Sequence, residues 1–168
     1  MIQIAGGQWE GLEGMTEEIF AAIRPRAEVT FMQALLLAEG ELKRTLTGQR
    51  TGRTYQVSKT GKPHVASAPG EPPAVLHDRL RGSVNHTEPK WEGDTLSAEW
   101  GVGPVEYARR LEYGGVSIVP HDVAVQVAPG EWRVVKAGTV IKTEARPYLE
   151  PTEERVRPQI DALFEAGV

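Results

Sequence analysis

The chain contains no cysteine, which excludes a disulfide framework and any thiolate metal site. No stretch of it approaches the roughly 18 consecutive apolar residues that cross a bilayer as a helix. Its start, Met1-Ile2-Gln3-Ile4, lacks the basic and then apolar plan of a secretory signal. The expectation is a protein that stays in the cytoplasm where it is made, so the sequon Asn85-His86-Thr87 carries no meaning. Aromatic residues make up only 7% of the chain, and its four tryptophans are scattered. Within the most basic segment the sole aromatic is Tyr55, too little for a platform on which bases stack.

Signals for chemistry are also missing. His64, His77, His86 and His121 form no pair at i, i+4 and no H-E-x-x-H, so no metal site is expected. The stretch Gly48-Gln49-Arg50-Thr51-Gly52-Arg53-Thr54 fails as a phosphate-binding loop. Its spacing is wrong, it has Arg where Lys is required, and it follows a helical pattern instead of a strand. Gly101-Val102-Gly103 lacks the third glycine of a dinucleotide fingerprint. None of Ser58, Ser67, Ser83, Ser97 and Ser117 sits in a G-x-S-x-G elbow. The pairs Glu17-Glu18 and Glu153-Glu154 stand at expected helix starts, where the helix dipole accounts for them. No catalytic residue and no cofactor is expected, and the chain reads as a building block, not an enzyme.

What is present suits one ordinary domain over residues 1–168: 40% hydrophobic and 25% charged residues. The net charge is −4, but it is unevenly spread. Residues 42–70 hold Lys43, Arg44, Arg50, Arg53, Lys59 and Lys62 and no acid, a charge of +6. The rest holds 13 basic and 23 acidic side chains, a charge of −10. A basic segment on an acidic body is an electrostatic handle for DNA phosphate or for an acidic neighbour.

Ile2 and Ile4 alternate as in an edge strand. Thr16-Glu17-Glu18 suits a helix start, and Pro25 is expected to end or kink that helix. A longer helix over about 26–46 follows, with Val29, Met32, Leu35, Leu36, Glu39, Leu42 and Leu46 on its inward face and Gly48 as its stop. Residues 48–75 hold four glycines and four prolines and read as an extended basic loop that orders against a partner. A short helix is expected at 75–80, then strands at 84–91 and 95–101, with Trp91 and Trp100 packing across that hairpin. Pro104 opens a helix bearing Tyr107, Ala108 and Leu111, with Gly114 as its cap. Apolar alternation over 118–127, 131–135 and 139–143 predicts a meander, a β-hairpin insertion over 116–144. A last helix over 153–164 is interrupted by Pro158. The order argues an α+β fold: long N-terminal helix, long basic loop, antiparallel sheet with short helices, C-terminal helix.

Four short stretches stand in a telling order: Ala66 to Pro73, Leu80-Arg81-Gly82-Ser83-Val84, Tyr107-Ala108-Arg109-Arg110-Leu111-Glu112-Tyr113-Gly114-Gly115, and Ala145-Arg146-Pro147-Tyr148-Leu149-Glu150-Pro151. Together they resemble the neck and tail-completion proteins of long-tailed double-stranded DNA bacteriophages, including tail components similar to minor tail protein Z. The resemblance spans most of residues 15–165. The span from Gly115 to Glu144 is longer than the short link of many relatives. It implies that Pro69, Pro72, Pro73, Leu80, Tyr107, Leu111, Glu112, Gly114, Arg146, Pro147, Tyr148 and Leu149 serve fold and interfaces. Pro69, Pro72 and Pro73 would stiffen an extended return, Tyr107 and Leu111 bury a helix face, and Arg146 pair with Glu112.

The function implied is that of a structural virion protein, assembled in the host cytoplasm as a ring at the head–tail junction or the upper tail end. Its partners would be copies of itself, six to match the tail or twelve to match the portal, the adjoining head-closure, connector and tail proteins, and packaged DNA in the channel. No membrane is implied. Two other readings are a nucleic-acid-binding accessory protein using residues 42–70, and a small hydrolase or inhibitor. On the sequence alone, serine at Arg50, Arg53, Lys59 and Lys62 is expected to leave the monomer folded and block head–tail joining, read as particle yield.

Overall fold

The structure, a computed structural model, describes residues 2–5, 17–56, 63–75, 78–128 and 131–167. In chain order the elements begin with β1 (Ile2–Ala5), α1 (Glu17–Thr47), β2 (Thr54–Gln56) and β3 (Pro63–Val65). Next come α2 (Arg79–Gly82), β4 (Val84–His86), β5 (Lys90–Glu92), β6 (Thr95–Val102) and α3 (Ala108–Tyr113). The last are β7 (Gly115–Ile118), β8 (Val123–Ala128), β9 (Glu131–Val135), β10 (Val140–Thr143) and α4 (Glu150–Gly167). This is the α+β order expected, with every described strand pair antiparallel. Two compact units emerge: residues 1–44, 82–103 and 149–168 in the first, 45–81 and 104–148 in the second.

Pro25 does not end the helix: α1 runs through it as one element, not two. Proline removes one helical hydrogen bond and crowds the carbonyl four residues earlier. Here Pro25 and Ala21 are both exposed, so water is at hand for the carbonyl left over. Pro158 and Glu154 repeat that arrangement in α4, which also runs through its proline. The inward stripe of α1 differs from the expected one. Phe31, Ala34, Leu35, Ala38, Leu42 and Leu46 are buried, while Val29 and Leu36 face out. Steps of three and four residues fit either set; the position of the neighbouring layer decides between them.

In the first unit, β6 is the central strand, paired with β1 along one edge and with β4 and β5 along the other. The edge strand expected at Ile2 and Ile4 is present. Leu96, Ala98 and Trp100 alternate into the core from β6, as a half-buried strand requires. The expected strand over 84–91 is broken in two. From His86 to Lys90 the chain takes four steps while its partner takes three, Trp100 to Ser97, so one extra residue is accommodated as a bulge-like step. There Thr87 donates its amide to the Glu99 carbonyl (2.8 Å) and accepts the Glu99 amide on its hydroxyl (2.9 Å). Trp91 lies opposite Leu96 and Trp100 opposite His86, so the two tryptophans are not cross-strand partners. Trp91 instead donates Nε1–H to Glu28 of α1 (2.6 Å) and lies under the Arg24 guanidinium, 5.2 Å from the ring centre. Glu39 of α1 bonds both Lys43 and His86 Nδ1 (2.5 Å to the latter). Burial raises the Glu39 carboxyl pKa, but these partners outweigh it and hold the group below its ordinary value. Phe164 of α4 meets Phe31 of α1 edge-on at 6.0 Å.

In the second unit, the stretch read as an extended basic loop contains a hairpin, β2 with β3. Its base is closed by Gly52 N–H to Ala66 O and Ala66 N–H to Arg53 O, both 3.0 Å. Of the helix expected at 75–80, residues 76 and 77 lie outside the described residues, and the described helix is the single turn α2, which starts only at Arg79. Asp78 immediately before it has φ +56°, which no α-helix tolerates, and its carboxylate is held by Arg81 (2.5 Å).

After α3, β7 pairs with β10 and β8 with β9, where a meander would pair consecutive strands. Val119 explains the difference. It donates to Thr139 O (3.0 Å) and accepts from Gly138 N–H (2.8 Å), so the chain runs on outward. Asp122 secures the return by accepting Lys136 Nζ (2.7 Å) and the Ala137 amide (2.9 Å). The β7–β10 and β8–β9 pairs thus form two ribbons in series, one two-stranded arm.

Two glycine substitutions should act with opposite signs. A Cβ on Gly52 would sit 2.5 Å from Ala66 O, so Gly52→Ala should cost about 1–3 kcal/mol by overpacking. Around Gly40, inside α1, a Cβ meets nothing within 4 Å, so Gly40→Ala should add about 0.5–1 kcal/mol. Urea unfolding midpoints moving the same way for both would contradict this packing.

Candidate functional site

Three of the four stretches that carry the resemblance meet in the second unit, through residues 66–73, 107–115 and 145–148, and hydrogen bonds join them. The segment after β10 lies on the end of α3. Arg146 donates its amide to Leu111 O (2.6 Å), and Tyr148 donates its amide to Glu112 Oε2 (2.8 Å). Pro147 between them has no N–H to place, so both available donors of this segment go to one helix end. Leu111 O is among the last four carbonyls of α3, which lack partners within the helix. The Tyr148 hydroxyl then donates to Ala108 O (3.2 Å). Tyr148 is 1% exposed. Burial first, and then the nearby Glu112 charge, push its phenol pKa above the ordinary value, which keeps it a donor.

The expected Arg146–Glu112 pair is replaced by this arrangement. Glu112, 4% exposed, takes a backbone donor, while Arg146 Nη2 reaches Ser67 O (3.5 Å). Nor do Tyr107 and Leu111 form the buried face of α3: both are half-buried, and Glu112 is its buried residue. Gly114 does end the helix, but at φ +70°, ψ −171°, a region essentially open only to glycine and distinct from the left-handed helical one.

Ala66 to Pro73 joins the same cluster, since Gly70 donates to Ala145 O (3.3 Å). Pro69 does not run extended. Ala68, Pro69, Gly70 and Glu71 make a turn closed by Glu71 N–H to Ala68 O (3.1 Å), with Gly70 at φ +80°, the pattern of a type II turn. Glu71 ties both sides of the β2–β3 base, accepting the Thr51 hydroxyl (2.6 Å), the Thr51 amide (3.0 Å) and the Ala68 amide (2.9 Å). These bonds lower its pKa to about 2. Leu80 is buried, and with Leu46, Pro73, Val75, Tyr107 and Leu111 it lines a groove of about 240 Å³. Leu149 opens the first turn of α4 by accepting the Glu153 amide (2.9 Å).

The six basic residues assigned to a partner or DNA do not act alike. Arg50 is a structural residue. Its guanidinium donates to the carbonyls of Thr45 (2.7 Å) and Leu46 (3.2 Å) at the end of α1, to Gly48 (2.7 Å) and Gln49 (3.0 Å), and to Pro73 (3.0 Å). A cation is favoured there, where helix carbonyls lack partners. Burial lowers the Arg50 pKa, with Glu71 opposing. Lys43 and Arg44 lie on α1, bonded to Glu39 and Glu41. Arg53 is exposed at the hairpin base, and Lys59 and Lys62 lie outside the described residues.

Sequence reasoning missed the roles of Glu71 and Pro73 as anchors, and of Glu112 as a buried acceptor. It also missed the exposed apolar side chains of the arm: Val116, Ile118, Trp132, Val134, Val140 and Ile141. Strand alternation was visible there, but not that both faces stay largely uncovered. Among the described residues no three His, Asp or Glu side chains converge as metal ligands, and no described helix is long and apolar enough to cross a membrane. No family model matches the chain, and no curated protein or solved structure matches it either.

Three outcomes follow. Glu112→Ala should cost about 1.5–3 kcal/mol by leaving the buried Tyr148 amide unpaired, and Glu112→Gln, which retains an acceptor oxygen, clearly less; equal losses in urea unfolding would contradict the role. Arg50→Ser should lower the unfolding midpoint, whereas Arg53→Ser should not. Glu71 has a folded pKa below its unfolded value, so its stabilisation is full above about pH 4.5. It should fade as pH falls toward about 2, seen as falling protection factors (amide exchange relative to the unfolded-chain rate at the same pH) at Thr51 and Ala68, a pH dependence that Glu71→Gln should abolish.

Proposed function

We propose that this chain is a structural component of a long-tailed phage-type particle, forming a ring at the head–tail junction or the upper end of the tail. One observation carries the reading. Three of the four stretches resembling neck and tail-completion proteins, far apart in sequence, share one hydrogen-bonded cluster: Gly70 to Ala145, Arg146 to Leu111, Tyr148 to Glu112. Their polar groups serve the backbone of that cluster, as expected of residues with an architectural role.

Charge supports association of copies. The first unit holds 16 acidic and 7 basic side chains, net −9, and the second 7 acidic and 12 basic, net +5. Units of opposite net charge favour contacts between unlike units of neighbouring copies, and such head-to-tail contacts close into rings when the rotation permits. The partners proposed are copies of the chain, the connector above and the tail below. Direct DNA binding is the weaker reading, because Arg50, central to the basic segment, is bonded to main-chain carbonyls.

The test is made on particles from the strain that encodes the chain. The protein should be present in purified virions, and deleting its gene should leave filled heads beside unjoined tails in electron micrographs. Its absence from particles, or normal particle yield without it, would remove the reading. Salt-sensitive DNA binding by the free protein would then put the nucleic-acid reading in its place.

A further inference from the structure

We infer that the groove bordered by α2 and α3 holds an aromatic side chain of a partner protein, with a carboxylate next to that side chain paired to Arg79. The inference rests on the reading of the chain as a particle component and names where a neighbouring protein grips it. The groove lies wholly within the second unit. Pro73, Leu80, Tyr107 and Leu111, drawn from three of the stretches that carry the resemblance, give it apolar walls, and Leu46 at the end of α1 adds to them. Tyr107 and Leu111 stay half-buried, since the face of α3 that carries them borders this opening. The walls are formed in advance. Arg50 bonds both Leu46 O (3.2 Å) and Pro73 O (3.0 Å). Arg81 clasps both carboxylate oxygens of Asp78 (2.5 and 2.8 Å) and reaches Thr47 Oγ1 (3.3 Å). A site already held in shape loses little to ordering when it is filled.

Volume and local charge select the occupant. A cavity of about 150 Å³ accommodates benzene, so a groove of about 240 Å³ admits a phenyl or indole side chain. The charged residues that line it are Asp78, Arg79 and Arg81. Asp78 and Arg81 neutralise each other. Arg79 is exposed and makes no hydrogen bond or ion pair among the described residues. The one unmatched charge at the groove is thus a guanidinium, and a carboxylate is the partner that its planar fork fits. A nucleotide also joins an aromatic ring to an anion. None of the described residues lining the groove is Asn, Gln, Ser or Thr, however, and the polar edge of a base placed there without hydrogen bonds would be buried at a cost. A hydrocarbon ring bears no such cost.

The test titrates the whole chain with end-blocked tetrapeptides and follows amide chemical shifts at Val75, Leu80 and Leu111. Gly-Phe-Glu-Gly or Gly-Glu-Phe-Gly should bind with a dissociation constant on the order of 1 mM. In the tighter of the two, Ala in place of Phe should weaken binding at least about tenfold. Gln in place of Glu should weaken it about three- to fivefold. Two variants at exposed positions, with melting checked against the wild type, locate the carboxylate. Arg79→Gln should bind the Glu and Gln peptides alike. Val75→Asp, which sets a like charge at the lip of the groove, should disfavour the Glu peptide relative to the Gln peptide. The inference falls if neither peptide binds below about 20 mM, if the wild type does not distinguish Glu from Gln, or if the preference survives in Arg79→Gln. Shifts of the same amides with an oligothymidylate and not with the peptides would also overturn it, in favour of nucleic acid. The assay uses the free protein, whereas the proposed function is judged on particles, so either can fail while the other stands.

Discussion

A buried carboxylate accepting a backbone amide holds the second unit's motifs in place. Glu112 lies in the last turn of a short helix, has almost no exposure, and receives the Tyr148 N–H. A buried amide must find an acceptor, and the preceding Pro147 offers no donor to share the task. The same contact brings Arg146 to the Leu111 carbonyl and Tyr148 to the Ala108 carbonyl, so a helix end and an extended segment satisfy each other. The Ala68–Glu71 turn then joins through Ala145. Removing the carboxylate therefore disturbs three stretches of chain, not one pair.

Arg50 does comparable work at the end of α1. A helix leaves its last carbonyls without partners, and this one guanidinium serves two of them together with Pro73 and two loop carbonyls. A residue counted by charge as part of a handle is, by geometry, a clamp. The electrostatics of the chain accordingly reside less in one basic loop than in the contrast between two units of opposite sign.

The arm is the most exposed apolar part of the described residues of the second unit. Its apolar side chains outnumber what a two-stranded ribbon can shelter, while its charged residues are partly matched internally, Lys136 with Asp122 and Arg133 with Glu131.

Much of the architecture could be read from local pattern. The long helix, the central strand with Leu96, Ala98 and Trp100, the α3 stop at Gly114 and the C-terminal helix all follow from periodicity and turn residues, because these act within a few positions of the chain. What periodicity leaves open is direction. Val29 and Leu36 fit a helical stripe as well as Phe31 and Ala34 do, and only the packed neighbour turns one set inward. Pro25 and Pro158 read as breaks because sequence does not reveal that their freed carbonyls face water. β7 pairs with β10, and not with β8, because Val119 keeps the strand running. Arg50, Glu71 and Glu112 look like surface charges until distant segments bring carbonyls and amides to them. Composition and short-range pattern decided the elements of this protein; partners for its buried polar groups, the outward face of α1 and the pairing of the arm were decided by contacts between residues far apart, which no local pattern encodes.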